Sequence, residues 1–284
     1  MSNLWWRKLR KQIAILTDFG ISDNYNGVME AVIRKFNPEI EITYITPQAK
    51  EFNIYSGAYL LYTAYKYFRR GTIFLVVIDP GVGTSRKPLI IKSTNYFFVG
   101  PDNGVLFPAA NEDRIKSIIW IKNPRLYLSK RISNTFHGRD IFAVTTALLS
   151  LGVDMKIFGE EISQITNLDF EYKLEKIAEN KLKACGKVIY VDHFGNVTTS
   201  IRIDKDLLVN INGKLILKDG QEYELHQVKT FGESYGQELL VYKNGYSFIE
   251  IGINKGSAFH ILNLREGDEV CVEVFTQVDF NPST

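Results

Sequence analysis

Several features that would mark a particular class of protein are scarce or absent from these 284 residues. Lysine and arginine (34 residues) nearly balance aspartate and glutamate (32 residues), and the resulting net charge of +2 gives no basis for binding nucleic acid or an anionic membrane. No apolar run approaches the roughly 18 residues that a membrane-spanning helix needs. We therefore expect neither a nucleic-acid partner nor a membrane partner.

Cysteine is also scarce, with only Cys185 and Cys271, and the two form no CxxC motif. Each lies in a run of strand-forming residues, "KACGKVIYV" and "EVCVEVF". We expect both to be buried, reduced thiols, as is typical of cytoplasmic proteins. The basic N-terminus has only the apolar run "IAIL", short of the about 7–15 residues of a signal-peptide core. It is interpreted as a frayed leader, and a cytoplasmic location is predicted.

Glycine-rich motifs for phosphate binding are missing as well. The chain has no Walker A motif, and "DPGVG" lacks the spacing of the G-x-G-x-x-G fingerprint of dinucleotide-binding proteins. The sequence therefore gives little support for a glycine-rich loop that cradles phosphates.

Strand and helix patterns alternate from residue 12 to about residue 160. Buried-strand runs such as "QIAILTD" and "TIFLVVID" are separated by amphipathic helices such as "NYNGVMEAVIRKFNP" and "GRDIFAVTTALLSLG", and "PLIIKSTNYFFVGPDNG" is hairpin-like. This alternation predicts an α/β domain over residues 12–168, with a mainly parallel sheet and helices on both faces.

The pattern changes after about residue 165. The stretch "NLDFEYKLEKIAENKLKACG" is highly charged and has no clear period. Short β-runs follow it, separated by turns that contain Gly, Asn and Asp. They predict a smaller antiparallel β-barrel-like domain over residues 182–280.

Four polar clusters occupy the place where ligands bind in open parallel sheets, beyond the carboxyl ends of the strands. Each alone could be a turn or helix cap, but four at equivalent positions predict a shared site. They are "LTDFG" with Asp18, "VIDPGVGTSR" with Asp79 and Arg86, "GPDNG" with Asp102 and Asn103, and "FHGRD" with His137, Arg139 and Asp140.

Two kinds of chemistry fit these clusters. The carboxylates and the imidazole could hold a pair of metal ions, as in a phosphoesterase. Arg86 argues against this, because a guanidinium aimed at Asp79 would compete with a metal, so no metal site is predicted. A carboxylate that an arginine keeps ionised could instead polarise a water molecule.

A fifth motif, "VDHFGNVTT", lies in the second domain. A strand ends on Asp192, turns through Gly195 and begins again at Val197. The motif is either a tight β-turn or a turn that offers Asp192 and Asn196 to a ligand between domains.

The motifs "TDFG", "DPGVGTSR", "GPDNG", "FHGRD" and "DHFGNVTT", in this order and at these separations, resemble those of the S-adenosyl-L-methionine (SAM) hydroxide adenosyltransferases. These are SAM hydrolases related to the bacterial fluorinase and chlorinase. The resemblance extends from about Ile13 to Val274. It implies hydrolysis of SAM to adenosine and L-methionine by attack of an activated water on ribose C5′, without a cofactor. It also implies a homotrimer with its site between subunits.

The resemblance implies roles for individual residues around the attacking water. Asp79, Arg86 and His137 match the hydrolase branch of the family. The halogenase branch has tyrosine in place of Asp79 and Tyr-Ser in place of His137-Gly138. The residues in this chain therefore favour a hydrolase.

The resemblance also implies how the substrate is held. Asp18 would bind the ribose hydroxyls, while Asp192 and Asn196 would bind the methionine amino group and the adenine. The other implied substrate-binding residues are Phe194, which would lie beside the base, Asn103, Gly138 and Asn254.

Two stretches depart from the family pattern. Pro47 in "ITPQAKEFN" stands where the family has histidine, and "NGYS" (Asn244 to Ser247) replaces "NSxG", which leaves the methionine contacts open. Three alternatives remain: a halogenase of the same fold, a metal-dependent nucleotide phosphoesterase, and a non-catalytic SAM or adenosine sensor. Asp79 and His137 disfavour the halogenase, and the complete water-binding triad disfavours the sensor.

Overall fold

The structure is a computed structural model, and it describes residues 11–202, 213–234 and 236–275. The chain divides into two compact units, with the division between Asp169 and Phe170. Each unit has its own hydrophobic core. The leader expected at the N-terminus lies outside the described residues.

The first unit is built on a seven-stranded sheet. Its strands are β1 (Gln12–Thr17), β2 (Glu41–Thr46), β3 (Ile73–Val77), β4 (Pro88–Lys92), β5 (Phe97–Pro101), β6 (Ser117–Ile121) and β7 (Gly159–Glu161). Their order is β2-β1-β3-β5-β4-β6-β7. The first four strands in this order pair in parallel, and the remaining pairings are antiparallel. Asp18 and Asp79 follow strands of the parallel part.

Helices cover both faces of this sheet, which confirms the predicted α/β architecture. The helices are α1 (Tyr25–Phe36), α2 (Ile54–Ala64), α3 (Phe107–Glu112), a π-helix (Gly138–Ala143) and α4 (Val144–Ser150) that continues it. Alternate residues of β1 and β3 enter two separate core clusters, one shared with α1, the π-helix and α4, the other with α2 and α3. Because both faces are covered, the strands are apolar without alternation.

The second unit is a closed barrel, which confirms the other half of the predicted fold. Its elements are β8 (Lys173–Ala178), β9 (Lys181–Val191), β10 (Val197–Arg202), β11 (Gly213–Leu217), β12 (Glu222–Gln227), β13 (Leu240–Lys243), β14 (Phe248–Gly252), the short helix α5 (Ala258–Leu262) and β15 (Glu269–Phe275). The strands of the barrel follow the order β10-β14-β13-β12-β11-β15-β9, and the pairing of β9 with β10 closes it. The remaining strand, β8, pairs with β9. β12 and β13 pair in parallel, whereas the other pairings described here are antiparallel.

No helix in the described part of the chain combines the length and the apolar character needed to cross a membrane.

The prediction of buried, reduced cysteines is wrong. Cys185 in β9 and Cys271 in β15 are only half-buried, and they form a disulfide. The two residues are directly opposite each other in the antiparallel pair, so their side chains lie on the same face of the sheet. They are 86 residues apart in the chain, and no local pattern signals a pairing of that range.

Candidate active site

Asp79, Arg86 and His137 lie in contact with one another. Arg86 donates from Nε to Oδ1 of Asp79 at 2.8 Å and from Nη2 to Oδ2. The same Nη2 lies 3.0 Å from Nδ1 of His137. Asp79 and Arg86 are nearly buried, with exposed side-chain fractions of 4% and 9%. The structure thus brings together the three side chains that the family resemblance placed around a water.

The contact with Arg86 assigns the tautomer of His137. A guanidinium only donates hydrogen bonds, so Nδ1 of His137 must accept, and the proton of the neutral ring is on Nε2. Burial and the positive charge of Arg86 lower the pKa of His137, against the opposing effects of Asp79 and Asp140. His137 is therefore a neutral donor through Nε2, and its Nδ1 is not available as a base.

We expect protonation of His137 to disrupt the cluster, because an N–H on Nδ1 would face the donors of Arg86. The pKa of folded His137 is below the ordinary 6.5. Neutral His137 therefore contributes fully to the free energy of unfolding at pH values above 6.5. That contribution is lost as the pH falls through the lowered pKa, because the unfolded chain binds the proton first. Turnover should fall over the same range. The test compares pH profiles of turnover and of urea unfolding for the wild type and His137→Gln, and an identical acid limb in both proteins would contradict it.

Gly83 allows the two loops of the cluster to approach each other. Its φ is +77°, and a Cβ at this position would lie 2.2 Å from the carbonyl oxygen of Asn134. Gly83 is three residues before Arg86 and Asn134 is three residues before His137, so the loops approach closely near both side chains. Gly83, the second glycine of "DPGVG", thus allows the loops to pack closely. This is consistent with the absence of a phosphate-binding motif.

Asp79 and His137 of this cluster line a cavity of about 370 Å³ in the first unit, whereas Arg86 is not among the lining residues. Phe136 lines this cavity together with Phe19 and Tyr25, and its ring makes edge contacts with theirs at centroid distances of 6.0 and 5.2 Å. Gly138 also lines it, and a Cβ there would lie 3.0 Å from Sδ of Met29. The cavity therefore has a carboxylate side and an aromatic wall.

Asp18 faces the same cavity from the end of β1. Its Oδ2 accepts the backbone N–H of Phe52 at 2.8 Å. Burial raises the pKa of Asp18, and the backbone hydrogen bonds from Phe52 and from its own N–H oppose the rise. Sequence reasoning missed Phe52, which lines the cavity with a φ of +59° and 71% of its surface exposed. Such a backbone conformation leaves no signal in the sequence of a non-glycine residue.

The structure places Asn103, which the resemblance implies as a substrate-binding residue, beside the strand end that leads to Asp79. It is not among the residues that border the cavity. Its Nδ2 donates to the carbonyl of Ile78 at 2.8 Å, and its Oδ1 accepts from the N–H of Val105 at 3.1 Å. Since Ile78 directly precedes Asp79, Asn103 holds the backbone next to the Asp79 carboxylate.

In the second unit, Asp192 organises its own turn. Its Oδ1 accepts from the N–H groups of Phe194 and Asn196 at 2.9 and 2.8 Å, and its Oδ2 accepts from Nδ2 of Asn196 at 2.8 Å. The turn requires Gly195, which has a φ of +85° and where a Cβ would lie 2.0 Å from Oγ of Ser257. The turn leaves Phe194 73% exposed.

A second cavity, of about 630 Å³, lies beside this turn. It is bordered by Phe194, Asn196, Asn254 and Phe231, together with the 253–257 segment. Asn254 donates from Nδ2 to the carbonyl of Ser234 at 2.8 Å. Phe231 was missed by sequence reasoning, since a lone phenylalanine in a loop is most often a packing residue. Phe194, Asn196 and Asn254 thus share one cavity of the second unit.

Within the described ranges, no group of three or more His, Cys, Asp and Glu side chains is placed to hold a metal ion.

Comparison with known proteins identifies the family. The family models for the N-terminal and C-terminal domains of SAM hydroxide adenosyltransferase match residues 13–159 and 186–271. The chain belongs to the SAM hydroxide adenosyltransferase family. This confirms the resemblance found in the five sequence motifs.

Relatives of this family member are similar over nearly their full length. The "(R)-S-adenosyl-L-methionine hydrolase" of Methanocaldococcus jannaschii is 35% identical, over 91% of this chain and 94% of its own. A "Fluorinase" of Nocardia brasiliensis is 25% identical, over 93% of this chain and 97% of its own. The crystal structure of an uncharacterized conserved protein from Thermotoga maritima is 38% identical, with a TM-score of 0.80, and the match covers 92% of this chain and 99% of that one.

The two stretches that depart from the family pattern make local hydrogen bonds. The carbonyl of Pro47 accepts the N–H of Gly20 at 2.8 Å, close to Asp18. Oδ1 of Asn244 accepts from the N–H groups of Tyr246 and Phe248 at 3.0 and 3.1 Å and so caps its own turn. Neither observation assigns a contact to methionine.

Proposed function

We propose that this protein hydrolyses SAM to adenosine and L-methionine by attack of water on ribose C5′. The observation that carries the proposal is the buried contact of Asp79, Arg86 and His137 at a cavity wall. The names of the curated relatives support it, because several are called (R)-S-adenosyl-L-methionine hydrolase.

The chemistry of SAM matches what these side chains offer. The leaving group is a neutral thioether that departs from a sulfonium, so the step needs an oriented oxygen nucleophile and no general acid. Asp79 accepts a proton from the water or polarises it, using lone pairs that Arg86 leaves free. Arg86 holds the carboxylate in place through its two hydrogen bonds, and His137 donates from Nε2 to the water oxygen. Orientation of the water in line with C5′ is worth about 7–11 kcal/mol in favourable cases.

Substrate binding would involve both units. Asp18 binds the ribose hydroxyls in this proposal. Phe194, Asn196 and Asn254 bind the adenine, and Asp192, whose oxygens already hold its turn, meets the methionine amino group. As in the family, the complete site would combine the first unit of one subunit with the second unit of another in a homotrimer.

Mixed trimers test this arrangement. Asp79→Asn subunits lack the water-holding carboxylate, and Phe194→Ala subunits lack the exposed ring beside the base, so each homotrimer should have low activity. After joint refolding, some sites should contain both intact halves and recover activity, with three times the subunit mass by light scattering. Mixtures as inactive as their parents, or an active monomer, would contradict the shared site.

The products of the reaction test the proposed function itself. Purified protein incubated with SAM and excess chloride or fluoride should release adenosine and L-methionine in equal amounts. Formation of 5′-halo-5′-deoxyadenosine would identify a halogenase instead. Binding of SAM without turnover would identify a sensor, and turnover lost with EDTA and restored by a divalent cation would favour metal-dependent chemistry.

A cytoplasmic location stays part of the proposal. The Cys185–Cys271 disulfide is uncommon in that compartment, although intracellular proteins of hyperthermophiles are an exception.

A further inference from the structure

Two side chains of the "FHGRD" motif, Arg139 and Asp140, have no part in the reaction proposed above. Asp140 lies in the first turn of the π-helix and is only 2% exposed. Arg139 donates to both of its carboxylate oxygens, from Nε at 2.6 Å and from Nη2 at 3.0 Å. A bidentate pair of this kind is among the stronger and more directional polar contacts in proteins. Only Gly138 separates the pair from His137 in the chain.

Asp140 also holds the segment that leads to His137. Its Oδ2 accepts the N–H of Ser133 at 2.7 Å, and its carbonyl accepts the N–H of Leu128 at 2.9 Å. Burial acts to raise the pKa of Asp140, but the hydrogen bonds from Arg139 and Ser133 outweigh it and lower the pKa. Asp140 is therefore an ionised anchor for the 128–136 segment.

Arg139 connects this anchor to the aromatic wall of the cavity. Its guanidinium carbon lies 5.2 Å from the ring centre of Phe136, within range of a cation–π contact. Phe136 in turn contacts the rings of Phe19 and Tyr25, which also line the cavity. Arg139 is not itself among the lining residues.

We propose that Arg139 and Asp140 are positioning residues for the hydrolysis of SAM, which fix Phe136 and His137 at the cavity wall without touching the substrate. Asp140 anchors the backbone at Leu128 and at Ser133, and Arg139 holds the ring of Phe136. His137, between that ring and the π-helix, is thereby presented to Arg86. The proposal is tested in two ways. The measurement of SAM turnover rests on the proposed function, whereas the NMR measurement of His137 needs no SAM.

The turnover arm uses Arg139→Met, which keeps the length of the side chain but removes its charge and both hydrogen bonds. Because 35% of the Arg139 side chain is exposed, we expect this variant to fold. Its kcat/KM should fall about tenfold, since small displacements of reacting groups reduce rates strongly. Arg139→Lys should recover part of the loss, and Arg131→Met, an exposed arginine of the same loop, should leave kcat/KM unchanged. An Arg139→Met protein within twofold of the wild type would overturn the proposal.

The second arm is an NMR titration of His137, identified by the signal that His137→Gln removes. The charged groups that act on this imidazole are Arg86, Asp79 and Asp140. Since Asp140 raises the pKa of His137, Asp140→Asn should lower the titration midpoint, and Arg139→Met, which leaves Asp140 without its cation, should raise it. Unchanged midpoints in both variants would overturn the proposal. A wild-type protein that titrates as expected but does not hydrolyse SAM would refute the proposed function alone.

Discussion

Replacement of Asp79 by asparagine should reduce the turnover of SAM by about 10²-fold or more, the range for loss of a general base. Asparagine has the size of aspartate, but its NH₂ group would face either Nε or Nη2 of Arg86. Both groups are hydrogen-bond donors, so one of the two hydrogen bonds would be lost. The water would lose its charged acceptor, and Arg86 would lose the anchor that keeps it beside His137. SAM affinity should change little, because these groups act on the water.

Asp18→Ala should have the opposite effect, with a larger change in SAM affinity than in turnover. In the proposed function Asp18 contacts the ribose both before and during the chemical step, so SAM binding should weaken about tenfold while single-turnover adenosine release changes less. Asp154→Asn, a change in a loop carboxylate that accepts the N–H of Lys156, is the matched control and should behave as wild type.

The measurements for both variants are single-turnover adenosine release and calorimetric SAM binding. Wild-type turnover in Asp79→Asn would leave Asp79 as a turn cap and exclude the water-holding role.

Replacement of Gly83 by alanine should reduce turnover by about 10- to 10²-fold. A Cβ that would lie 2.2 Å from the Asn134 carbonyl must push the two loops apart, and a displacement of about 1 Å at reacting groups costs up to about 10²-fold in rate. Arg86 and His137, one on each loop, would separate. SAM binding should decrease less than turnover.

The matched control for this variant is Gly71→Ala. Gly71 also has a positive φ, of +86°, but a Cβ there would meet nothing within 4 Å. The Gly71→Ala substitution therefore measures the effect of alanine at a positive φ without a collision between loops. Equal effects of the two substitutions on turnover would show that the contact between the loops does not matter for the reaction.

Local patterns were sufficient to predict the α/β unit and the barrel. They also placed Asp18 and Asp79 beyond the ends of strands, because the position of a residue relative to its own strand is a local property. The pairing of Asp79 with Arg86 spans only seven residues and is within the reach of the same reasoning. His137 is 51 residues from Arg86; the positions of their motifs predicted a shared site, and the family resemblance indicated that both surround one water.

The features that sequence reasoning missed are not local. The disulfide depends on the register of two strands distant in the chain, and the parallel pairing of β12 with β13 depends on the path of the loop between them. Asn103 was interpreted from its motif as a ligand contact. Its amide donates to the carbonyl of Ile78, next to Asp79, and accepts the N–H of Val105, which the motif does not reveal.

The central claim is that the cluster of Asp79, Arg86 and His137 delivers a water oxygen to C5′ of SAM. A single-turnover reaction in ¹⁸O-labelled water, followed by mass spectrometry of both products, tests it most directly. We expect one ¹⁸O atom in the 5′-hydroxyl of adenosine and none in L-methionine, with adenosine formation reduced about 10²-fold in Asp79→Asn. Adenosine without the label, or label incorporated by Asp79→Asn at the wild-type rate, would contradict the account.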